Sequence, residues 1–145
     1  MNKEIEIKEG TIIDVVTLSR KIPEFEAPYN ENEYERRLSG KKHLILIAYV
    51  KNTAVGFKVG YKIKDAFYSW MGGVLPEFRN VNIAKKLAKK QEEWAVENGF
   101  KKIRLKTLNK HKAMLHFVLS GGFEIIDFKP KENYNESRII LEKIL

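Results

Sequence analysis

The chain contains no cysteine, which excludes a disulfide framework, a thiolate metal site and a thiol nucleophile. Only four prolines and nine glycines occur in 145 residues, with no repeat and no low-complexity tract, so nothing reads as a linker or a fibrous segment. The three histidines, His43, His111 and His116, lack metal-ligand spacing and are expected at the surface or at an interface. No metal site is expected. No apolar run approaches the roughly 18 residues that a spanning helix needs. The first nine residues alternate with charges and lack the apolar core of a signal peptide, so cytoplasm is the expected location and no membrane partner is expected.

What is present is the composition of one globular domain. Hydrophobic residues make up 43% and charged residues 32%, over a length that buries a real core. Residues 1–145 are expected to form a single domain. The formal charge of +8 is unevenly placed. Eleven Lys/Arg face only three Glu between Arg79 and Lys112, and the remainder of the chain is balanced. A field of that sign draws in polyanionic ligands, although each lysine taken alone is an ordinary solvated side chain.

Periodicity supplies the organisation. Ile5 and Ile7 alternate with charges as a first strand ending at Gly10, and Thr11 caps a helix with Ile12, Val15, Val16 and Ile22 on its apolar face. A second helix is expected near residues 32–38. The run 43–50 and the segment 54–64 read as a hairpin about a turn at 51–53, and a further strand follows over 66–74. Ile83, Leu87, Gln91 and Trp94 mark a helix that stops at Asn98-Gly99. A strand at 103–107, a helix at 109–119 and strands at 123–128 and 138–145 complete a mixed α/β domain. About seven strands in one twisted sheet, flanked by about four helices, are expected. The last strand is apolar enough to pair across a homodimer.

The most informative stretch runs from Val74 to Leu87, where a strand ends, a short turn follows and a lysine-rich helix begins. Such a turn leaves backbone N–H groups unpaired at the positive end of a helix dipole, where phosphates bind. Val74-Leu75-Pro76-Glu77-Phe78-Arg79, then Asn80-Val81-Asn82-Ile83-Ala84, resembles the central motif of the GNAT superfamily of acyl-CoA-dependent N-acetyltransferases. In that motif Val-x-Pro-x-x-Arg is followed by x-x-Gly-x-Gly/Ala. A second family segment, a strand, an Asn, a helix and a terminal Gly-Phe, is matched by residues 103–109, 114–117 and Gly122-Phe123. Gly56 fits as well, and the order of elements matches over essentially the whole chain.

The resemblance implies an enzyme that moves an acetyl group from acetyl-CoA to a primary amine of a small molecule or protein, by direct attack in a ternary complex. It implies that the pyrophosphate lies on the backbone of Arg79, Asn80, Val81, Asn82, Ile83 and Ala84, with Lys85, Lys86 or Lys89 reaching phosphate oxygens. The plain alternative for Arg79 is a surface ion pair. It implies that the third and fourth sheet strands splay, that pantetheine follows the free edge, and that the Val74 N–H polarises the thioester carbonyl. Gly72-Gly73 suits a bulge there, and Asn109 would hold the cofactor or cap the next helix.

Two positions depart from the pattern. Asn82 stands at the first glycine of the turn, and Val118 stands where the family often has a tyrosine that protonates the departing thiolate. No carboxylate lies within residues 67–74, so Tyr68 on that strand and Glu26 in the acidic segment 23–37 are the candidate bases. That segment, with Glu24, Glu26, Glu31, Glu33 and Glu35, suits a cationic amine. Two other readings stand beside the enzyme: an acyl-CoA-binding module without turnover, favoured by Asn82 and Val118, and, with least support, a basic nucleic-acid-binding domain. Against the last, no aromatics are interleaved with the lysines as stacking platforms.

Overall fold

The computed structural model describes residues 4–79 and 82–145. Seven strands and four α-helices follow in the order β1 (Ile5–Glu9), α1 (Ile12–Ser19), α2 (Glu31–Leu38), β2 (His43–Val50), β3 (Thr53–Ile63), β4 (Ala66–Val74), α3 (Ile83–Glu97), β5 (Lys102–Leu108), α4 (Lys112–Ser120), β6 (Glu124–Lys129) and β7 (Arg138–Ile144). The expected element order and the mixed α/β class are both present. Two short 3-10 turns, Pro76–Phe78 and Tyr134–Glu136, were outside the expectation.

Local chemistry explains the boundaries. Thr11 and Asp14 form a reciprocal capping box at α1, each side chain accepting from the other's backbone N–H. Asn30 caps α2 by accepting from the Glu33 N–H at 3.0 Å. Helix α3 ends at Asn98, followed by Gly99 with φ +85°, a backbone conformation that glycine takes without a Cβ clash. Its buried residues are Ile83, Leu87, Gln91 and Ala95, spaced at every fourth position.

The sheet order is β1-β2-β3-β4-β5-β7-β6. Every neighbouring pair is antiparallel except β4 and β5. That parallel pair follows from the crossover through α3. It is also short: only Phe67↔Ile103 and Tyr68↔Arg104 are in register, so the two strands diverge beyond Tyr68. The opening thus lies between the fourth and fifth strands, not between the third and fourth as the resemblance implied.

Two further expectations are corrected. The bulge on β4 is at Trp70, the residue skipped between Gly60↔Ser69 and Val59↔Met71, whereas Gly72 and Gly73 pair regularly with Lys58 and Phe57. The last strand, β7, is inserted between β5 and β6, so its backbone is paired on both sides and cannot pair across a dimer. The free edges belong to β1 and β6.

Candidate active site

The divergence of β4 and β5 opens a cleft of about 490 Å³ that passes through the sheet. On one side stand Phe25, Trp70, Met71 and Lys106, and on the other Lys58, Ser69, Leu87 and Phe117. Its floor is the end of β4, from Gly72 to Val74. A second, larger groove of about 870 Å³ runs between α3 and α4 and shares Lys58, Ser69, Leu105 and Phe117 with the first.

The hydrogen-bonding of β4 decides what this floor offers. Leu75 N–H donates to the Val55 carbonyl at 2.8 Å. An antiparallel ladder alternates, so Leu75 and Gly73 bond toward β3, while Gly72 and Val74 direct their N–H and C=O groups to the other side. On that side β5 has already diverged. The N–H groups of Gly72 and Val74 therefore face the cleft. The Val74 carbonyl is taken by Arg79, whose Nε donates to it at 3.1 Å.

Arg79 also forms a two-pronged ion pair with Glu24, at 2.7 and 2.8 Å, which closes one lip of the cleft. Hydrogen bonding from Arg79, more than its charge alone, holds the Glu24 carboxyl at about 2, down from 4.5. Because the folded value is depressed, whatever stability the pair contributes is complete above the ordinary carboxylate value and is lost as pH falls through about 2. In a carboxyl NMR titration the Glu24 midpoint is expected near 2 and should return toward 4.5 in Arg79→Gln. An unchanged midpoint in the variant would show that Arg79 does not hold the carboxylate in solution.

The N-terminus of α3 stands next to this lip. Asn82, its N-cap, has φ 64° and ψ 21°, a left-handed conformation that glycine takes freely and asparagine tolerates. Its side chain caps nothing, and the first turn holds no acidic residue. The turn instead carries Lys85 and Lys86. Helix N-terminal donors left uncapped, with cations added to the positive dipole end, are stabilised by an external anion. Substituting Asn82 by Ala is expected to cost about 1 kcal/mol through the left-handed conformation, and Asn82→Gly nothing comparable, measured by urea denaturation. Equal losses in both would place the strain elsewhere.

The other sequence-derived residues divide. Gly73, Val74, Arg79 and Ala84 line the cleft, Ile83 begins α3 beside it, and Lys85 lines the adjoining groove. Asn80 and Val81 lie outside the described residues. Asn109 is turned away: its amide donates to the Tyr134 carbonyl at 3.1 Å and its oxygen accepts from Lys112 at 2.8 Å. Tyr68 is buried edge-on against Tyr61, with its ring centre 5.5 Å from Lys106 Nζ, and is not among the cleft-lining residues. Burial pushes its hydroxyl up, which opposes its service as a base. Glu26 is exposed and also outside the cleft lining. Of the acidic segment, Glu24 is neutralised by Arg79 and Glu33 by Arg36 and Arg37.

Four cleft residues stand outside the expected catalytic and cofactor sites, Glu24 having a place only in the acidic segment. Glu24 is the carboxylate at the lip, His111 stands at the N-cap position of α4 without a side-chain capping bond and lines the cleft, and Trp70 lines it from within a cluster with Tyr29, Tyr34 and Tyr61. The fourth, Lys58, lies on β3 beneath α3.

Similarity to known proteins agrees with this geometry. The model of the acetyltransferase (GNAT) family matches residues 13–123. The ribosomal-protein-S18-alanine N-acetyltransferase from Escherichia coli superposes with a TM-score of 0.84 at 13% identity, over 97% of this chain and 94% of that one. Ard1 from Thermoplasma volcanium gives 0.82 at 18%, over 97% of each chain. PaiA N-acetyltransferase from Thermoplasma acidophilum, solved with coenzyme A, gives 0.78 at 20%, over 98% and 99%. Comparison with curated protein sequences finds no match. At these identities the solved structures share the fold, and the family model, spanning most of the chain, adds the lineage. The chain belongs to the acetyltransferase (GNAT) family.

Proposed function

We propose that the protein transfers an acetyl group from acetyl-CoA to a primary amine, by direct attack within a ternary complex. The observation that carries this reading is the free edge of β4, with unpaired N–H groups at Gly72 and Val74, ending beside an uncapped, lysine-bearing helix N-terminus. A long ligand with a phosphate end and a carbonyl end fits those two features at once.

The pyrophosphate lies on the turn 79–84 and the first turn of α3, among Arg79, Asn80, Val81, Asn82, Ile83, Ala84 and Lys85, with Lys86 and Lys89 near the 3′-phosphate. Pantetheine follows the strand past Gly73, and the thioester oxygen accepts from the Val74 N–H, where negative charge develops during attack. The amine enters from the side of Phe25, Trp70 and Lys106. It arrives as an ammonium and must lose a proton. His111, the imidazole lining the cleft, or water in the open cleft takes it.

Isothermal titration with acetyl-CoA tests the reading. Saturable binding is expected at micromolar strength, weakened about tenfold or more by Arg79→Glu and by the use of dephospho-CoA. Absence of binding would remove the enzyme reading and leave the fold. The same fold without turnover is the second reading, favoured by Val118 in place of a hydroxyl-bearing residue on α4. Tight acetyl-CoA binding with no transfer across a broad amine panel would favour it.

A further inference from the structure

Lys58 is a half-buried cation that the proposed reaction has not yet used. It sits on β3 and faces α3, in register with Gly72 on β4. A Cβ at Gly72 would lie 3.6 Å from Lys58 Cγ, so the missing side chain leaves the lysine stem room across β4 toward the opening. Lys58 accordingly lines both the through-sheet cleft and the groove between α3 and α4, at the point where they meet. No hydrogen bond or ion pair holds its amine among the described residues. The carboxylate whose charge reaches it, Glu92, is engaged by Lys143 Nζ at 2.7 Å. Burial lowers the amine to about 8.

A second donor in the same groove is also left over. Gln91 is 1% exposed, and its Nε2 has no partner. Two unpartnered donors on one groove, whose nearest carboxylate, Glu92, is held by Lys143, point to a ligand that brings an acceptor. Along β4, Gly72 precedes Val74 by two residues, about 7 Å. In a thioester whose oxygen rests on the Val74 N–H, the sulfur is one bond from the carbonyl carbon and falls within reach of the Lys58 side chain. The α4 position that approaches this space, Val118, has no ionisable group to give a proton.

Resting on the acetyl-transfer reading above, we infer that Lys58 is a catalytic residue that protonates the departing CoA sulfur. The amine nitrogen forms the new bond to the acetyl carbon and the C–S bond breaks, its electron pair going to sulfur. The ammonium of Lys58 gives sulfur a proton, the extra proton on nitrogen leaves to His111 or water, and solvent reprotonates Lys58. An ammonium with a value near that of a thiol is matched to this exchange.

The charges around the pair are known. From α3, Lys85, Lys89, Glu92, Glu93 and Glu97 face the groove, and from β7 Lys143 does. In the cleft itself stand Lys106, His111 and the Glu24–Arg79 pair. Lysine and thiol share a proton, so the apparent values belong to the two together.

The test needs no acceptor amine. The thiol of bound CoA is titrated by thiolate absorbance in the wild type, Lys58→Met and Lys58→Gln, with CoA affinity measured in parallel. In the wild type the bound thiol is expected to ionise about tenfold more readily than in either variant, while affinity changes little. Binding to all three proteins with the same thiol titration would overturn the role of Lys58 and leave acetyl transfer standing. Failure of the wild type to bind CoA would remove both. Two variants differing in polarity keep the comparison alive if one does not fold.

Discussion

Replacement of Val74 by proline is expected to lower kcat by about 10²–10³, or 2.7–4 kcal/mol, while acetyl-CoA affinity stays within a few-fold. The substitution removes one N–H and little else. Val74 ends β4, and the alternation set by the Leu75–Val55 hydrogen bond gives its N–H no partner on β3. Proline at such an edge position breaks no ladder bond. What it removes is the donor aimed at the thioester oxygen in the proposed reaction, a group whose effect is concentrated in the transition state. Val74→Ala, which keeps the N–H and loses two methyl groups, should retain kcat within a few-fold. The measurement is steady-state turnover with any amine that supports it, together with titration of acetyl-CoA. A Val74→Pro enzyme with wild-type kcat would mean that the carbonyl is polarised elsewhere.

The largest effect on stability is expected from Gly60→Ala, at about 3 kcal/mol. A methyl group there would stand 2.3 and 2.5 Å from two carbons of the Phe67 ring and 2.7 Å from the Tyr68 carbonyl oxygen. The ring cannot retreat. Phe67 is fully buried, with Trp94 and Phe100 at centroid distances of 5.4 and 5.3 Å. The backbone carbonyl lies on the β3 side and cannot move without disturbing the Tyr61↔Tyr68 pairing of the two strands. Urea denaturation should show a lower midpoint with an unchanged slope. Gly60→Ala combined with Phe67→Leu should be less destabilised than the sum of the two single changes, because the smaller side chain vacates the space the methyl needs. Strict additivity would show that the clash is relieved without Phe67.

Much of this fold is legible locally. The capping pair Thr11 and Asp14 lies three residues apart, and Asn98-Gly99 is a contiguous stop. The helix stripe 83–87–91–95 needs only its own period. The phosphate turn is likewise a continuous segment, and Asn82 took the glycine-like conformation that its short polar side chain tolerates. What was not legible depends on pairing at a distance. Glu24 meets Arg79 across 55 positions, and nothing in either segment names the other. The position of β7 between β5 and β6 follows from which strand fills the sheet, not from its own apolar pattern. Lys58 reads as the polar residue of an alternating strand, and only the partner glycine at 72 and the crossing of two clefts give it a place to act. Tyr68 lies on β4, the strand whose end floors the cleft. Its side chain, however, belongs with Tyr61, outside the cleft lining.

The extra residue at Trp70 has a consequence for the timing of donors along β4. Tyr68 pairs with Tyr61 and Met71 with Val59, and a single residue beyond the regular count separates those two pairings. Counting strictly by twos from Tyr68, the N–H groups turned toward β3 would fall at 70, 72 and 74. With one residue inserted, they fall at 71, 73 and 75, and those at 72 and 74 are released to the open side. The insertion works as a parity switch: it inverts odd and even for the rest of the strand. Deleting Trp70 would leave every other side chain of the cleft in the sequence, yet turn the Val74 N–H into an ordinary rung of the sheet.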